Sequence, residues 1–336
     1  MKLATLRNGR PDGQLVVVST DLSRFVSAGR VAPHLQAALD NWAEAEPALR
    51  KLAASLDRGE IAGQIFNPAL AMAPLPRAYQ WIDGSGYLSH LERVRTLKAS
   101  RNEELQSDRP LMYQGASDSL SGAQDPIVVA DDEAAVDFEA ELAAILGPVS
   151  MQPGKEEAAA SIRLLTAIND VSLRRLVVDD LQNGFGFFHA KPSTAFAPVA
   201  VTPDELGPAW QNSRVHLRIR VTVNGKLFGQ PDTGADMHFD FADLIVAAAQ
   251  TRQLGCGTII GSGTVSNRHD EALPIKKDGI GFACIAEART VEKIRYGKAR
   301  TSFLKAGDRV DITVVDANDV VVFGSIDQVV KLLGQR

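Results

Sequence analysis

An alternating run of apolar and acidic residues near the middle of the chain constrains the fold more than any other feature. Residues 136–143 read Val-Asp-Phe-Glu-Ala-Glu-Leu-Ala, the pattern of a β-strand. Side chains two apart on a strand point to the same face. One face would therefore direct its apolar side chains towards a core. The other face would carry Asp137, Glu139 and Glu141.

Like charges on one strand face repel one another unless something compensates them. Taken alone, the run favours a solvated acidic surface, because most charge runs lie on the surface. The alternative is a divalent cation, which converts the repulsion into coordination. Carboxylate oxygens suit hard metals such as Mg²⁺, Ca²⁺ or Mn²⁺.

Other segments of the chain, taken in their order along the sequence, favour a metal site over a solvated acidic surface. Asp83 precedes His90 by seven residues, Glu-Ala-Glu stands at 139–141, Asn-Asp-Val-Ser-Leu-Arg occupies 169–174, and Lys191 follows. This order resembles the fumarylacetoacetate hydrolase family over about residues 78 to 330. Further matching segments are Tyr113-Gln114-Gly115, Asp236-Met237-His238-Phe239 and Gly261-Ser262-Gly263-Thr264.

The resemblance implies a metal centre and a catalytic group around it. The implied metal ligands are Asp83, Glu139, Glu141 and Asp170. The metal itself would be Mg²⁺ or Ca²⁺, with Mn²⁺ as a further option. His90 would be the general base, while Lys191 and Arg174 would donate to the developing oxyanion, a form of charge stabilisation that contributes strongly to catalysis.

A histidine base needs a carboxylate that orients its ring. The family draws this carboxylate from a segment after the Gly-Thr motif, where Glu287 is the nearest match. Glu292 and Glu271 are the alternatives, because Glu287 lies two residues further from the preceding glycine than the family pattern predicts.

Substrate contacts follow from the same resemblance. The candidate residues are Tyr113, Tyr87, Gln182 and Thr264. The chain departs from the family pattern at three positions. Ser85 stands where the eukaryotic-type pattern has a Tyr, and Val177 stands where the family has a Gln. Ala195 occupies the position of a family Thr, and this chain has a threonine one position earlier, Thr194. These departures leave the metal ligands intact and concern the identity of the substrate.

Composition fits a globular enzyme. The chain has 336 residues, a net charge of -5 and two cysteines. The negative net charge gives no sign of the basic surface that nucleic-acid-binding proteins carry. Two cysteines are too few for a disulfide framework. The chain has no run long enough to span a membrane and no signal-peptide pattern at its first residues. We therefore expect a cytoplasmic protein with a small-molecule partner, and the resemblance implies a homodimer.

The chain divides near residue 75, where several prolines punctuate the sequence. Beyond this point strands dominate, and alternation over 215–223 before Asn224-Gly225 predicts a hairpin. Helices are predicted at about 33–56 with a kink at Pro47, at about 156–168 and at about 242–251. The expected fold is α+β and predominantly β. The resemblance refines it to a small N-terminal α+β domain (1–75) and a mixed β-sandwich roll of the fumarylacetoacetase C-terminal type (76–336).

The implied function is metal-dependent hydrolysis of a carbon–carbon bond in a β-diketo acid. Fumarylacetoacetate is the first expectation, giving fumarate and acetoacetate at the end of tyrosine catabolism. An acylpyruvate hydrolase, an oxaloacetate decarboxylase or a diene-dioate isomerase would share the metal site. A decarboxylase has no need of a base such as His90. From a different class, the alternative is a metal-binding scaffold without turnover.

Overall fold

The computed structural model describes residues 1–96, 108–184, 186–268 and 280–334. The helices are α1 (Leu35–Asp40), α2 (Trp42–Asp57), α3 (Leu88–Thr96), α4 (Lys155–Ala160), α5 (Arg174–Asn183), α6 (Phe241–Ala248) and α7 (Ile285–Tyr296). The strands are β1 (Lys2–Leu6), β2 (Gln14–Val18), β3 (Arg24–Ser27), β4 (Gln64–Ile65), β5 (Trp81–Gly84), β6 (Met112–Gln114), β7 (Ile127–Val129), β8 (Val136–Asp137), β9 (Ala140–Leu146), β10 (Ile162–Asn169), β11 (Ser172–Leu173), β12 (Ala195–Phe196), β13 (Ala200–Val201), β14 (Trp210–Gln211), β15 (Arg214–Val215), β16 (Arg218–Val223), β17 (Lys226–Gly229), β18 (Ile259–Gly261), β19 (Arg309–Val315) and β20 (Val321–Leu332).

Two sheets organise the described residues, which confirms the predicted α+β, mainly β, class. The larger sheet has the strand order β4-β3-β2-β1-β13-β10-β9-β18-β5-β6, and β12 also pairs with β10. The N-terminal strands join this sheet where β1 pairs with β13, with Leu3 opposite Ala200. The second sheet has the order β17-β16-β19-β20-β7.

The centre of the larger sheet is buried on both faces. Along β9, Leu142 and Ala144 belong to one apolar cluster, while Ala143 and Ile145 belong to another on the opposite face. Both faces pack against apolar side chains, so the strand reads as a continuous apolar run after its acidic start.

The predicted strand over 136–143 is interrupted in the structure. Its first part, β8, pairs with β11, whereas β9 pairs with β10 and β18. Asp137, Glu139 and Glu141 are all buried, with at most 5% of each residue exposed. The interpretation of this run as a solvated acidic surface is therefore wrong.

Two local predictions are corrected and one is confirmed. The helix predicted at 156–168 ends at Ala160, and β10 follows, because this segment lies in the middle of a sheet covered on both faces. The break in the helical region 33–56 falls at Asn41 instead of Pro47. The hairpin of β16 and β17 forms as predicted, and Asn224 and Gly225 both have positive φ.

Candidate metal centre and active site

Three carboxylates from neighbouring parts of the larger sheet come together beside a pocket of about 370 Å³. Asp83 lies on β5, Glu141 on β9, and Asp170 directly after β10. The strand between β5 and β9 is β18, which is parallel to β5 and places Gly261 opposite Asp83. The residues that line the pocket are Asp83, Ser85, Tyr87, His90, Leu91, Val94, Leu111, Met112, Tyr113, Glu139, Arg174, Val177, Leu181, Gly186, Phe187, Lys191, Gly263 and Thr264.

Close packing between β5 and the loop after β18 requires glycine. A Cβ atom at Gly261 would lie 2.4 Å from Asp83 Oδ1, and one at Gly263 would lie 2.4 Å from the carbonyl oxygen of Gly84. Gly263 has a φ of +78°, and its amide donates to Asp83 Oδ1 at 3.0 Å. The glycine-rich turn therefore binds a carboxylate of the protein itself.

Three carboxylates form a tight cluster, because one oxygen each from Asp83, Glu141 and Asp170 lies within 4.8 Å of the others. All three residues are buried. Thr264 donates to Glu141 Oε1 at 3.3 Å, whereas Glu141 Oε2 is buried without a hydrogen-bond partner among the described residues.

Burial and mutual repulsion raise the pKa values of this cluster. Burial, followed by the charge of Asp170, raises the pKa of Asp83 to about 8. Burial and the charges of Asp83 and Asp170 raise the pKa of Glu141 well above its usual range. An orphaned buried oxygen beside two more carboxylates fits a hard divalent cation, which takes oxygen ligands and relieves such repulsion.

Asp170 is held in place by three donors. Thr194 donates to Oδ1 at 2.9 Å, while Tyr113 and Lys191 donate to Oδ2 at 2.5 and 2.6 Å. Thr194 also accepts from the indole N–H of Trp81. A hydroxyl one position before Ala195 thus contacts an implied metal ligand.

Glu139 lies outside the three-carboxylate cluster, although it lines the same pocket. Arg174 donates to its Oε1 at 2.7 Å, and Lys191 donates to its Oε2. Burial opposes ionisation of this carboxyl, but the positive charges of Lys191 and Arg174 outweigh burial and lower its pKa. Arg174 also donates to Asp137 at 2.8 Å.

His90 lies on α3 and lines the pocket. Its Nδ1 is 3.1 Å from Oε1 of Glu287, which is fully buried near the start of α7. Glu287 is therefore the carboxylate placed to orient the ring. Glu292 instead accepts from the amides of Arg300 and Thr301. The other alternative, Glu271, lies outside the described residues.

The substrate-contact candidates divide between the pocket and its surroundings. Tyr113 and Thr264 line the pocket and touch the carboxylate cluster. Tyr87 also lines it, but its hydroxyl donates to the carbonyl of Thr233 at 2.6 Å. Gln182 is exposed on α5 and does not line the pocket, whereas its neighbour Leu181 does.

Two residues support the site in ways that the sequence did not indicate. Arg93 is buried one turn after His90 and lies 3.6 Å from Glu287 Oε2, so it faces the second oxygen of the orienting carboxylate. Asp137 accepts from the amides of Ile285 and Ala286, which fixes the start of α7 next to Arg174. The i, i+3 spacing of a cation after His90 was the available signal for Arg93.

The comparisons agree with the resemblance. The family profile described as fumarylacetoacetate (FAA) hydrolase C-terminal matches residues 80–331, and the profile fumarylacetoacetase N-terminal domain 2 matches residues 1–77. The chain therefore belongs to the fumarylacetoacetate hydrolase family.

The similar proteins carry several activities in their names. The 2,4-didehydro-3-deoxy-L-rhamnonate hydrolase of a Sphingomonas species is 30% identical over 46% of this chain and 52% of its own length, so the alignment spans about half of that relative. The mitochondrial oxaloacetate tautomerase Fahd2a of Rattus norvegicus is 27% identical over 65% of this chain and 70% of its own length.

A solved structure shows the same fold over the whole chain. Maleylpyruvate hydrolase of Sphingobium sp. SYK-6, in complex with manganese(II) and pyruvate, superposes with a TM-score of 0.62 at 19% identity and covers 100% of both chains. None of the helices in the described ranges has the length and hydrophobicity of a transmembrane span.

Proposed function

We propose that this protein uses a divalent metal to hydrolyse a carbon–carbon bond in a β-diketo acid. One observation carries the proposal. The imidazole of His90, hydrogen-bonded at Nδ1 to Glu287, lines the same pocket as Asp83, and Asp83 is clustered with Glu141 and Asp170 directly behind the lining. An oriented base and an oxygen-rich metal site are the two components that this reaction needs.

The metal would be Mg²⁺, Ca²⁺ or Mn²⁺, held by the three-carboxylate cluster with Glu139 as the fourth ligand that the resemblance implies. When bound, it would supply Lewis acidity to the two ketone oxygens of the substrate. The fit rests on the orphaned Oε2 of Glu141, which requires a positive partner.

The side chains of this protein would handle the proton. Nδ1 of His90 is engaged by Glu287, so Nε2 takes a proton from water as the water oxygen bonds to the ketone carbon. The bond from this carbon to the methylene then breaks, and its electron pair forms the enolate of the leaving keto acid. The imidazolium returns its proton to the methylene carbon. Lys191 and Arg174 place positive charge beside the developing oxyanion.

A second candidate is keto–enol tautomerisation of a 2-oxo acid such as oxaloacetate. The position of His90 is as suitable for this reaction as for hydrolysis, because an oriented base can move a proton between carbon and oxygen without adding water. The name of the rat relative supports keeping this candidate.

The test is an absorbance assay on fumarylacetoacetate and on acetylpyruvate, with enol-oxaloacetate assayed beside them, in EDTA and then with Mg²⁺, Ca²⁺ or Mn²⁺ restored. Metal-restored loss of either compound, with carboxylic acid products, supports the hydrolase. Metal-restored conversion of enol-oxaloacetate alone supports the tautomerase. Metal binding without turnover of any of these compounds would overturn both candidate activities and support a metal-binding scaffold without turnover.

A further inference from the structure

We propose that the acyl group of the substrate is apolar and carries no second carboxylate. This inference rests on the proposed function and narrows it, because fumarylacetoacetate places a carboxylate at the far end of its acyl group. The evidence is the division of the pocket into a polar end and an apolar wall.

The polar end contains Asp83, Glu139, the ion-paired Lys191 and Arg174, and His90. The apolar wall consists of Leu91, Val94, Leu111, Met112, Val177, Leu181 and Phe187. A cavity of about 370 Å³ is at the lower end of the usual range for small-molecule sites, and it exceeds what a pyruvyl group bound at the metal would fill. The remaining space therefore receives the other substituent of the substrate.

Helix α5 leads from the polar end to the pocket mouth. Arg174, Val177 and Leu181 follow one another at i, i+3 and i+7, so they share one face of the helix. At 1.5 Å per residue, the face advances about 10 Å from Arg174 to Leu181. Val177 is 7% exposed and Leu181 is 49% exposed, which places Leu181 at the mouth.

Helix α3 and strand β6 supply further apolar lining residues. Leu91 and Val94 stand one and four residues after His90, on the same helix as the proposed base. Met112 directly precedes Tyr113, whose ring meets Phe187 edge-on at 5.4 Å between centroids. An acyl group that extends outward from the metal would therefore meet apolar side chains from α3, α5 and β6.

The cations at the polar end already have anionic partners. Lys191 is bonded to Glu139 and Asp170, and Arg174 is bonded to Asp137 and Glu139. Among the described lining residues, these are the only Lys or Arg side chains. A distal carboxylate on the wall would lose hydration without gaining a counter-charge from the described lining residues. An apolar chain would gain from burial.

The kinetic test is a chain-length series of acetyl-, butanoyl- and hexanoylpyruvate with the metal-loaded protein, beside fumarylpyruvate. We expect kcat/KM to rise about fourfold per methylene, the rate equivalent of ~0.8 kcal/mol for each buried CH₂. Fumarylpyruvate should be poorer than hexanoylpyruvate. Turnover without chain-length dependence, or with fumarylpyruvate preferred, would overturn the apolar acyl group and leave the hydrolase standing.

A binding test separates this inference from the proposed function. Titration calorimetry with Mn²⁺-loaded protein would compare pyruvate, 2-oxooctanoate and 2-oxooctanedioate, none of which has a cleavable β-diketone. We expect 2-oxooctanoate to bind most tightly, at least tenfold more than 2-oxooctanedioate. This ranking would support the apolar wall even if no acylpyruvate were hydrolysed. Equal affinities, or no binding of any of the three, would overturn it.

Two lysine substitutions on α5 form a matched pair. Leu181→Lys adds a cation at the wall, so it should reduce the ratio of hexanoyl- to fumarylpyruvate turnover by tenfold or more. Val178→Lys adds the same charge to a neighbouring residue that is 44% exposed and does not line the pocket, and it should leave the ratio unchanged. Equal responses of the two variants would contradict the assignment of Leu181 to the wall.

Discussion

Glu139 and Glu141 lie two residues apart and are both buried, yet their surroundings are opposite. Glu139 accepts from Arg174 and Lys191, and these cations lower its pKa. Glu141 accepts only a long hydrogen bond from Thr264, faces two other carboxylates, and has a raised pKa. The protein thus neutralises Glu139 with its own side chains, whereas Glu141 has no cationic partner among the described residues.

The site therefore has two parts that differ in charge balance, one around Glu139 and one around Glu141. On the Glu139 side, Lys191 and Arg174 lower the pKa of this carboxyl, so Glu139 stays ionised at neutral pH without a metal. On the Glu141 side, the three carboxylates of Asp83, Glu141 and Asp170 have one ion-pair partner among the described residues, Lys191 at Asp170. A dication removes most of the imbalance.

The largest expected effect comes from Glu141→Gln, which tests whether Glu141 is a metal ligand. The substitution keeps the shape of the side chain and removes one anion from the three-carboxylate cluster. We expect metal-dependent activity to fall below detection, because the cation loses a ligand that no neighbouring residue can replace. Calorimetric titration with Mn²⁺ checks the cause. Unchanged metal affinity in the folded variant would show that Glu141 is not a ligand.

His90→Ala tests the base separately from the metal. We expect the variant to keep its metal affinity and to lose hydrolysis by roughly 10²-fold or more, the usual contribution of a positioned general base. The measurements are a Mn²⁺ titration and kcat on acetylpyruvate. His189→Ala is a matched control, since His189 is an exposed histidine outside the pocket lining. Retained hydrolysis in His90→Ala would remove this residue from the mechanism.

Glu139→Gln and Glu141→Gln should have opposite effects on metal-free stability. Removing Glu139 breaks a buried ion pair, and we expect a loss of about 3 kcal/mol, because Lys191 keeps Asp170 and Arg174 keeps Asp137. Removing Glu141 relieves repulsion, so the metal-free protein should be equally stable or more stable. Urea unfolding in EDTA measures both. Similar losses in the two variants would contradict the proposed division of the pocket.

The resemblance named residues that are far apart in the chain but close together in the fold, such as Asp83, His90 and Lys191 in the pocket lining, although Gln182 lies outside that lining. It could not separate Glu139 from Glu141, since the difference depends on which carboxylate oxygens Arg174 and Lys191 reach. Arg93 was missed for a similar reason: its partner, Glu287, is nearly two hundred residues away and comes beside it only through packing of α3 against α7.

The fold class was predictable from alternation and turns, and the hairpin at Asn224-Gly225 was predictable in detail. Residues 162–168 were assigned wrongly to a helix, because an apolar strand that is buried on both faces lacks alternation. Leu164 and Leu165, for example, are both fully buried but lie in different apolar clusters. A single sequence does not reveal that a strand will have sheet neighbours on both sides and apolar layers on both faces.

The smallest expected effect is a pH dependence of metal-free stability. Asp83 has a pKa of about 8 in the folded protein, against roughly 3.9 in an unfolded chain. The folded state therefore holds a proton that the unfolded state releases, so this stabilisation is complete below pH ~4 and is lost as the pH rises to ~8. Glu139 has a lowered pKa, so its contribution is lost only in acid, below pH ~4. Between pH 5 and 8 we expect the Tm in EDTA to fall by a few degrees, and the increase in Tm on adding Mn²⁺ to grow. Asp83→Asn should flatten the EDTA profile, which distinguishes Asp83 from the other titratable groups of the chain. An identical slope in wild type and Asp83→Asn would show that the cluster does not hold this proton.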